Sequence, residues 1–279
     1  MPEPGEAHYA DVNGVHMYYE TSGVGEPLLL LHGGFGGVHL FGGQVPAFAK
    51  RYRVLVPEQR GRGHTPDAEG PISYQLLADD IIAFLEGEMG EPAHFVGVSD
   101  GGIVGLLVAT QRPELLAKLV TVGANFHGDG LLSSALWTDA SPDDEAWAAP
   151  RQRYAAVSPD GPDHFPVVFA KLQHMWSDGQ PTLSTGDLAR IPVPVLVLVG
   201  DDDVIDHAHT VTMYEAIPGG QLAVIPGASH AVFMEKPELM NRIVLDFLAE
   251  QGSPETMLPV RRAARGPLAP EQSRNEESQ

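Results

Sequence analysis

The sequence predicts an α/β protein built on a mostly parallel sheet with helices on both faces. Three observations carry this expectation. Short continuous apolar runs recur at 28–31, 53–57, 93–96, 119–123, 193–199 and 221–225. Such runs suit strands buried on both faces. Several of these runs are separated by segments whose apolar residues follow helical spacing, and strands alternating with helices favour parallel pairing. Finally, Gly97-Val98-Ser99-Asp100-Gly101 joins an apolar run to a helix-like stretch, which reads as strand, sharp turn, helix.

In chain order, 8–12 and 15–21 flank Asn13-Gly14 and form a hairpin, because Asn-Gly between alternating segments is a strong two-residue turn signal. With this hairpin the expected strands number eight. Residues 22–27 break the pattern before the strand at 28–31. The stretch His32-Gly33-Gly34-Phe35-Gly36-Gly37 follows, where glycines let backbone N–H groups approach another group closely. A helix is expected over 41–51, a strand over 53–57 and a polar loop over 58–66. A helix over 73–85 takes Ser73 as its N-cap. After the turn at 97–101 come a helix from 102, the strand at 119–123, and later helices at 207–217 and 237–250. Residues 126–187 depart from the alternation. They hold Trp137, Trp147, Trp176, Phe165, Phe169, His164 and His174, and read as an inserted helical cap on a core formed by 1–125 and 188–251. The cap aromatics can form the cap's own small core or line a substrate site. The tail over 252–279 is rich in proline and charge and poor in apolar residues, so disorder is expected there.

Composition narrows the function classes. The chain of 279 residues holds 17 basic and 37 acidic residues, for a formal charge of −20. That charge disfavours nucleic acids and anionic membranes as partners. The chain has no cysteine, which removes disulfides, thiolate nucleophiles and cysteine metal sites. The first residues lack a signal-peptide pattern, and no apolar run approaches the roughly 20 residues needed to span a bilayer. A soluble, cytoplasmic protein is expected.

The Gly-x-Ser-x-Gly spacing between strand and helix is a nucleophile-elbow pattern. Its glycines are steric: a serine at a strained turn has neighbours pressed against both elements. The turn, together with His32-Gly33, Arg60-Gly61-Arg62-Gly63, Gly200-Asp201-Asp202-Asp203, Gly227-Ala228-Ser229-His230 and Glu235-Lys236-Pro237-Glu238, resembles the α/β-hydrolase superfamily, closest to its small serine esterases and its valacyclovir-hydrolase-like or proline-iminopeptidase-like members. The resemblance spans roughly 8–250 apart from the cap. It implies an α/β-hydrolase fold, with an eight-stranded, mostly parallel sheet and a helical cap insertion.

The resemblance further implies a serine hydrolase acting without a cofactor or metal on a small acyl substrate. Ser99 would be the nucleophile, His230 the base and Asp203 the orienting acid, in the chain order Ser, Asp, His. Asp201, Asp202 and Asp206 compete with Asp203. His32 resembles a structural histidine beside the oxyanion turn. The oxyanion hole would use the backbone N–H groups of Gly34 and Asp100, with Phe35 as the alternative to Gly34. The Asp100 side chain has two readings: recognition of a substrate ammonium, or an acid favoured at the positive end of a helix. His207 and His209 lack a third ligand at a metal-binding spacing. Carbon–carbon bond hydrolysis and a non-catalytic sensor are rival functions, and the cap is a candidate homodimer surface.

Overall fold

A computed structural model of the protein describes residues 5–132, 139–178, 180–252 and 256–261. Trp137 and most of the tail from 252 lie outside these residues.

Eight strands form one sheet in the order β1-β2-β4-β3-β5-β6-β7-β8. They are β1 (Glu6–Val12), β2 (Val15–Ser22), β3 (Glu26–Leu31), β4 (Tyr52–Pro57), β5 (Ala93–Val98), β6 (Leu116–Val122), β7 (Val195–Asp202) and β8 (Gly220–Ser229). β1 and β2 pair antiparallel through the Asn13-Gly14 turn, and β2 pairs antiparallel with β4. Every other pairing is parallel. The run Leu28–Leu31 shows why a continuous apolar stretch suits this sheet. Leu29 and Leu31 enter the core on one face, and Leu28 and Leu30 the core on the other. The side-chain period of two thus places alternate leucines in two separate layers.

The helices are α1 (Val45–Phe48), α2 (Tyr74–Glu88), α3 (Asp100–Gln111), α4 (Ala148–Val157), α5 (Phe165–Ser177), α6 (Thr185–Leu188), α7 (His207–Ala216), α8 (Val232–Glu235) and α9 (Pro237–Ala249). Ser73 caps α2 by accepting the Leu76 N–H. The helix expected over 41–51 is instead a 3₁₀ turn over Val38–Phe41 followed by the short α1. Gly42 and Gly43 between them are poor helix residues, and Gly43 packs against Pro237. β8 runs on to Ser229, past the apolar stretch at 221–225, and delivers the chain directly to His230.

Between β6 and β7 the described residues of 126–187 are mostly helical. α5 buries Phe165, Val168, Phe169, Leu172 and Met175, spaced three and four apart. Phe35, from the glycine-rich turn after β3, sits among Trp147, Phe165, Phe169 and Trp176 with ring centroids 5.2 to 5.8 Å apart. A polar latch fastens the same layer. Asp67 accepts from Lys171 Nζ at 2.6 Å and pairs with His164 Nε2 at 2.9 Å, and Lys171 also donates to Ala68 O. Burial alone raises the Asp67 pKa, but the bonds from Lys171 and His164 outweigh it, and the group sits below the usual carboxylate range. Replacing Lys171 by Met should cost about 1.5–3 kcal/mol, the range for a bond to a charged group. Hydrogen exchange should then quicken in α5 before the sheet. Equal acceleration throughout the chain would contradict a local latch.

Candidate active site

The turn after β5 is sterically tight. Ser99 holds φ 53° and ψ −120°, a strained backbone for a non-glycine residue. A Cβ on Gly97 would lie 2.2 Å from Gly101 O, and one on Gly101 would lie 2.2 Å from Leu31 O. Neither glycine can carry a side chain, because strand, turn and helix occupy that space. A Cβ on Gly33 would lie 2.6 Å from Ser99 Cβ, so the turn after β3 presses directly on the serine.

Three side chains converge here from the ends of β5, β7 and β8. His230 Nε2 lies 3.0 Å from Ser99 Oγ, and His230 Nδ1 lies 2.8 Å from Asp203 Oδ1. The Asp203 side chain is fully buried. Its Oδ1 also accepts the Ile205 N–H at 3.1 Å. The competing acids have other partners. Asp201 accepts the Ala228 N–H, Asp206 caps α7 through the His209 N–H, and Asp202 is exposed. Glu235 anchors the loop that carries the imidazole, accepting from Ser229 N and Ser229 Oγ at 2.7 and 2.9 Å.

The two N–H groups weighed beside Asp100 for an oxyanion differ in their partners. Gly34 gives its N–H to Asp100 Oδ2 at 3.0 Å, so it is not free in this arrangement. No acceptor for the N–H of Phe35, the alternative donor, occurs among the described residues. Asp100 is the first residue of α3, and an N–H there has no acceptor within the helix.

Asp100 itself is 3% exposed. Its carboxylate accepts from Tyr74 Oη at 2.8 Å, Trp176 Nε1 at 3.2 Å and Gly34 N. Burial and then the Asp100 charge push the Tyr74 hydroxyl well above its usual range, so it stays a donor. Sequence reading took Tyr74 only as a helix residue and Trp176 only as a cap aromatic; they stand 26 and 76 residues from their shared acceptor with no local pattern to link them. Three donors already stand on the carboxylate, which favours a structural role over recognition of a ligand cation. Asp100→Asn should therefore slow hydrolysis of an aminoacyl ester and of its uncharged analogue by similar factors. It should also cost about 1–3 kcal/mol, because an amide cannot accept from every donor. A loss confined to the charged ester would instead establish ammonium recognition.

His32 is fully buried and braces the same turn. Its Nε2 accepts the Gln59 N–H at 3.1 Å, which leaves Nδ1 to donate to Gly33 O. Burial, reinforced by the Arg62 charge, pushes His32 down to about 3. Burial also lowers His94 and His209. Below about pH 6.5 the unfolded chain takes up protons that folded His32 refuses, so stability falls as pH falls. The contribution approaches about 1.4 kcal/mol per pH unit until the folded value is reached. Thermal midpoints at about pH 7.5 and pH 5 should differ accordingly, and equal midpoints would contradict a buried neutral His32.

His207 and His209 do not act as a pair. His207 Nε2 lies 3.1 Å from Gly200 O, while His209 accepts the Phe126 N–H and stacks on the Phe126 ring. Among the described residues no group of three His, Asp or Glu side chains is placed to hold a metal. No helix among them is long and apolar enough to cross a membrane.

A cavity of about 320 Å³ opens above Ser99 and His230. Trp147, Trp176 and Leu131 from the inserted region line it with Phe35 and Ile205. Of the inserted aromatics, Trp147 and Trp176 thus face the cavity, while Phe165 and Phe169 are buried in the core. The arrangement can activate a hydroxyl beside an apolar chamber.

A sequence model described as the alpha/beta hydrolase family matches residues 28–243. The putative carbamate hydrolase RutD of Stutzerimonas stutzeri is 30% identical, over 84% of this chain and 97% of its own. The human serine hydrolase BPHL is 27% identical, over 85% of this chain and 84% of its own. Among solved structures, the meta-cleavage product hydrolase CumD of Pseudomonas fluorescens superposes with a TM-score of 0.72 at 25% identity, covering 86% of this chain and 97% of that one.

Proposed function

The chain belongs to the alpha/beta hydrolase family, and from that premise we propose that it is a cofactor-independent serine hydrolase of a small carboxylic ester, lactone or related acyl compound. The observation that carries this reading is His230 standing between Asp203 Oδ1 and Ser99 Oγ at 2.8 and 3.0 Å. His230 takes the Ser99 proton as the hydroxyl oxygen attacks the substrate carbonyl. The N–H groups of Asp100 and Phe35 receive the developing oxyanion. Collapse breaks the acyl–oxygen bond, and His230 returns the proton to the leaving alcohol. Water then gives a proton to His230 and attacks the acyl-enzyme, releasing the acid and restoring Ser99. Asp203 holds the imidazole with its hydrogen on Nδ1 and stabilises the imidazolium.

The name of the human relative, a serine hydrolase, agrees with this chemistry. The likeness to CumD supports a second reading, in which the same groups cleave a carbon–carbon bond. Two measurements decide among these and a non-catalytic sensor. Labelling by a fluorophosphonate that Ser99→Ala abolishes, with turnover of p-nitrophenyl acetate, is the expected result. Turnover of a meta-cleavage-type dienoate at rates far above any ester would favour carbon–carbon cleavage. A protein that neither labels nor turns over would overturn both enzymatic readings.

A further inference from the structure

Trp176 stands near the C-terminal end of α5, in the inserted region, and meets the turn after β3 in three ways. Its Nε1 donates to both carboxylate oxygens of Asp100 at 3.2 Å, and that carboxylate accepts the Gly34 N–H at 3.0 Å. The indole also rests on Gly34, where the place of a Cβ lies 3.5 Å from Trp176 Cζ2. Finally, the indole meets the Phe35 ring at 87°, with centroids 5.8 Å apart. Gly34 and Phe35 are the central residues of a turn closed by Gly36 N–H donating to Gly33 O at 2.8 Å. Glycines at 33, 34, 36 and 37 give this turn wide rotational freedom, and Gly34 holds φ 30°. The direction of the Phe35 N–H follows the rotation of the Gly34–Phe35 peptide, so the turn needs an outside hold. Asp100 supplies it. Tyr74 Oη, from α2, fixes Asp100 Oδ1 from the core at 2.8 Å, and Trp176 fixes both oxygens from the cap.

We propose that Trp176 is a positioning residue, clamping the Gly33–Gly36 turn through Asp100 so that the Phe35 N–H points at the oxyanion. The proposal rests on the hydrolase reading for the place of that oxyanion. The cap then does more than enclose the substrate, because only a seated α5 completes the hold on the turn. α5 is itself seated by Lys171 and His164 on Asp67. Deleting an oxyanion donor costs about 10² to 10³ in rate, and a donor that is present but poorly aimed costs less.

The test is Trp176→Phe, which keeps an aromatic ring beside Gly34 and removes the N–H. On p-nitrophenyl acetate kcat should fall about ten- to thirtyfold while KM stays within about threefold, a smaller loss than that of a deleted donor. In an Asp100→Ala background the indole has no carboxylate to hold, so Trp176→Phe should change kcat by less than about twofold. A raised KM at unchanged kcat would make Trp176 cavity wall alone and overturn the proposal. The full loss of kcat in both backgrounds would overturn it as well, since Asp100 would not be the route. Exchange of the Gly34 amide, followed by NMR, reads the clamp without turnover. It should quicken at least about tenfold in Trp176→Phe while the Leu30 amide in β3 keeps its rate, as expected when one charge-assisted hold is lost. Unchanged Gly34 exchange sinks the clamp and leaves the hydrolase standing. A wild-type protein that hydrolyses no ester sinks the hydrolase reading, and Gly34 exchange then decides the clamp by itself.

Discussion

Ser99→Ala is expected to lower kcat on p-nitrophenyl acetate by a factor on the order of 10⁶, the scale seen when a triad serine is removed. The substitution deletes one oxygen whose recorded partner is His230 Nε2 at 3.0 Å. It leaves the Cβ that packs against Gly33, and the backbone at φ 53° is no harder for alanine than for serine. The thermal midpoint should therefore move by only a degree or two while activity collapses. Stability and turnover measured on the same preparation separate the two effects. Hydrolysis within tenfold of the wild-type rate would remove Ser99 from the mechanism.

The second large effect is expected at Asp203. Asn at this position should cost about 10² to 10⁴ in kcat, the upper end being the loss seen when a triad aspartate becomes asparagine. The geometry argues for the lower half of that range. Oδ1 accepts both His230 Nδ1 and the Ile205 N–H, so an amide oxygen is held at that place from two sides. The amide NH₂ then falls where Oδ2 stands, a buried atom with no partner. The imidazole keeps its tautomer, and what is lost is the negative charge behind the imidazolium. Asp203→Ala removes both the charge and the positioning, and should fall below Asn. Asp202→Asn, on an exposed neighbour, is the control and should stay within about twofold. If Asp202 or Asp206 proved the more sensitive position, the assignment of the acid would be wrong.

Parts of this molecule were legible in the residues alone. The leucines at 28–31 and the valines at 195–199 announced strands buried on both faces, because only a covered parallel sheet hides every side chain of such a run. Asn13-Gly14 announced its hairpin, since the turn conformation is intrinsic to that pair; Asn13 has φ 43° and Gly14 φ 82°. The glycines around Ser99 announced a crowded turn. Other features left no local trace. The break in the helix expected over 41–51 depends on Gly43 lying against Pro237 of α9 as well as on the low helix propensity of Gly42 and Gly43. Tyr74 reads as a helix residue and Trp176 as one of several cap aromatics until the fold brings them to one carboxylate.

Local order in the chain determined the sheet and the elbow at Ser99, because strand period and turn sterics act between near neighbours, while the candidates Asp203 and His230 came from the family resemblance. Tertiary structure alone decided that Gly34 gives its N–H to Asp100 and that Tyr74 and Trp176 donate to the same carboxylate. Those are through-space relations among residues tens of positions apart. Their energies are set by burial and direction, which no spacing in the sequence encodes.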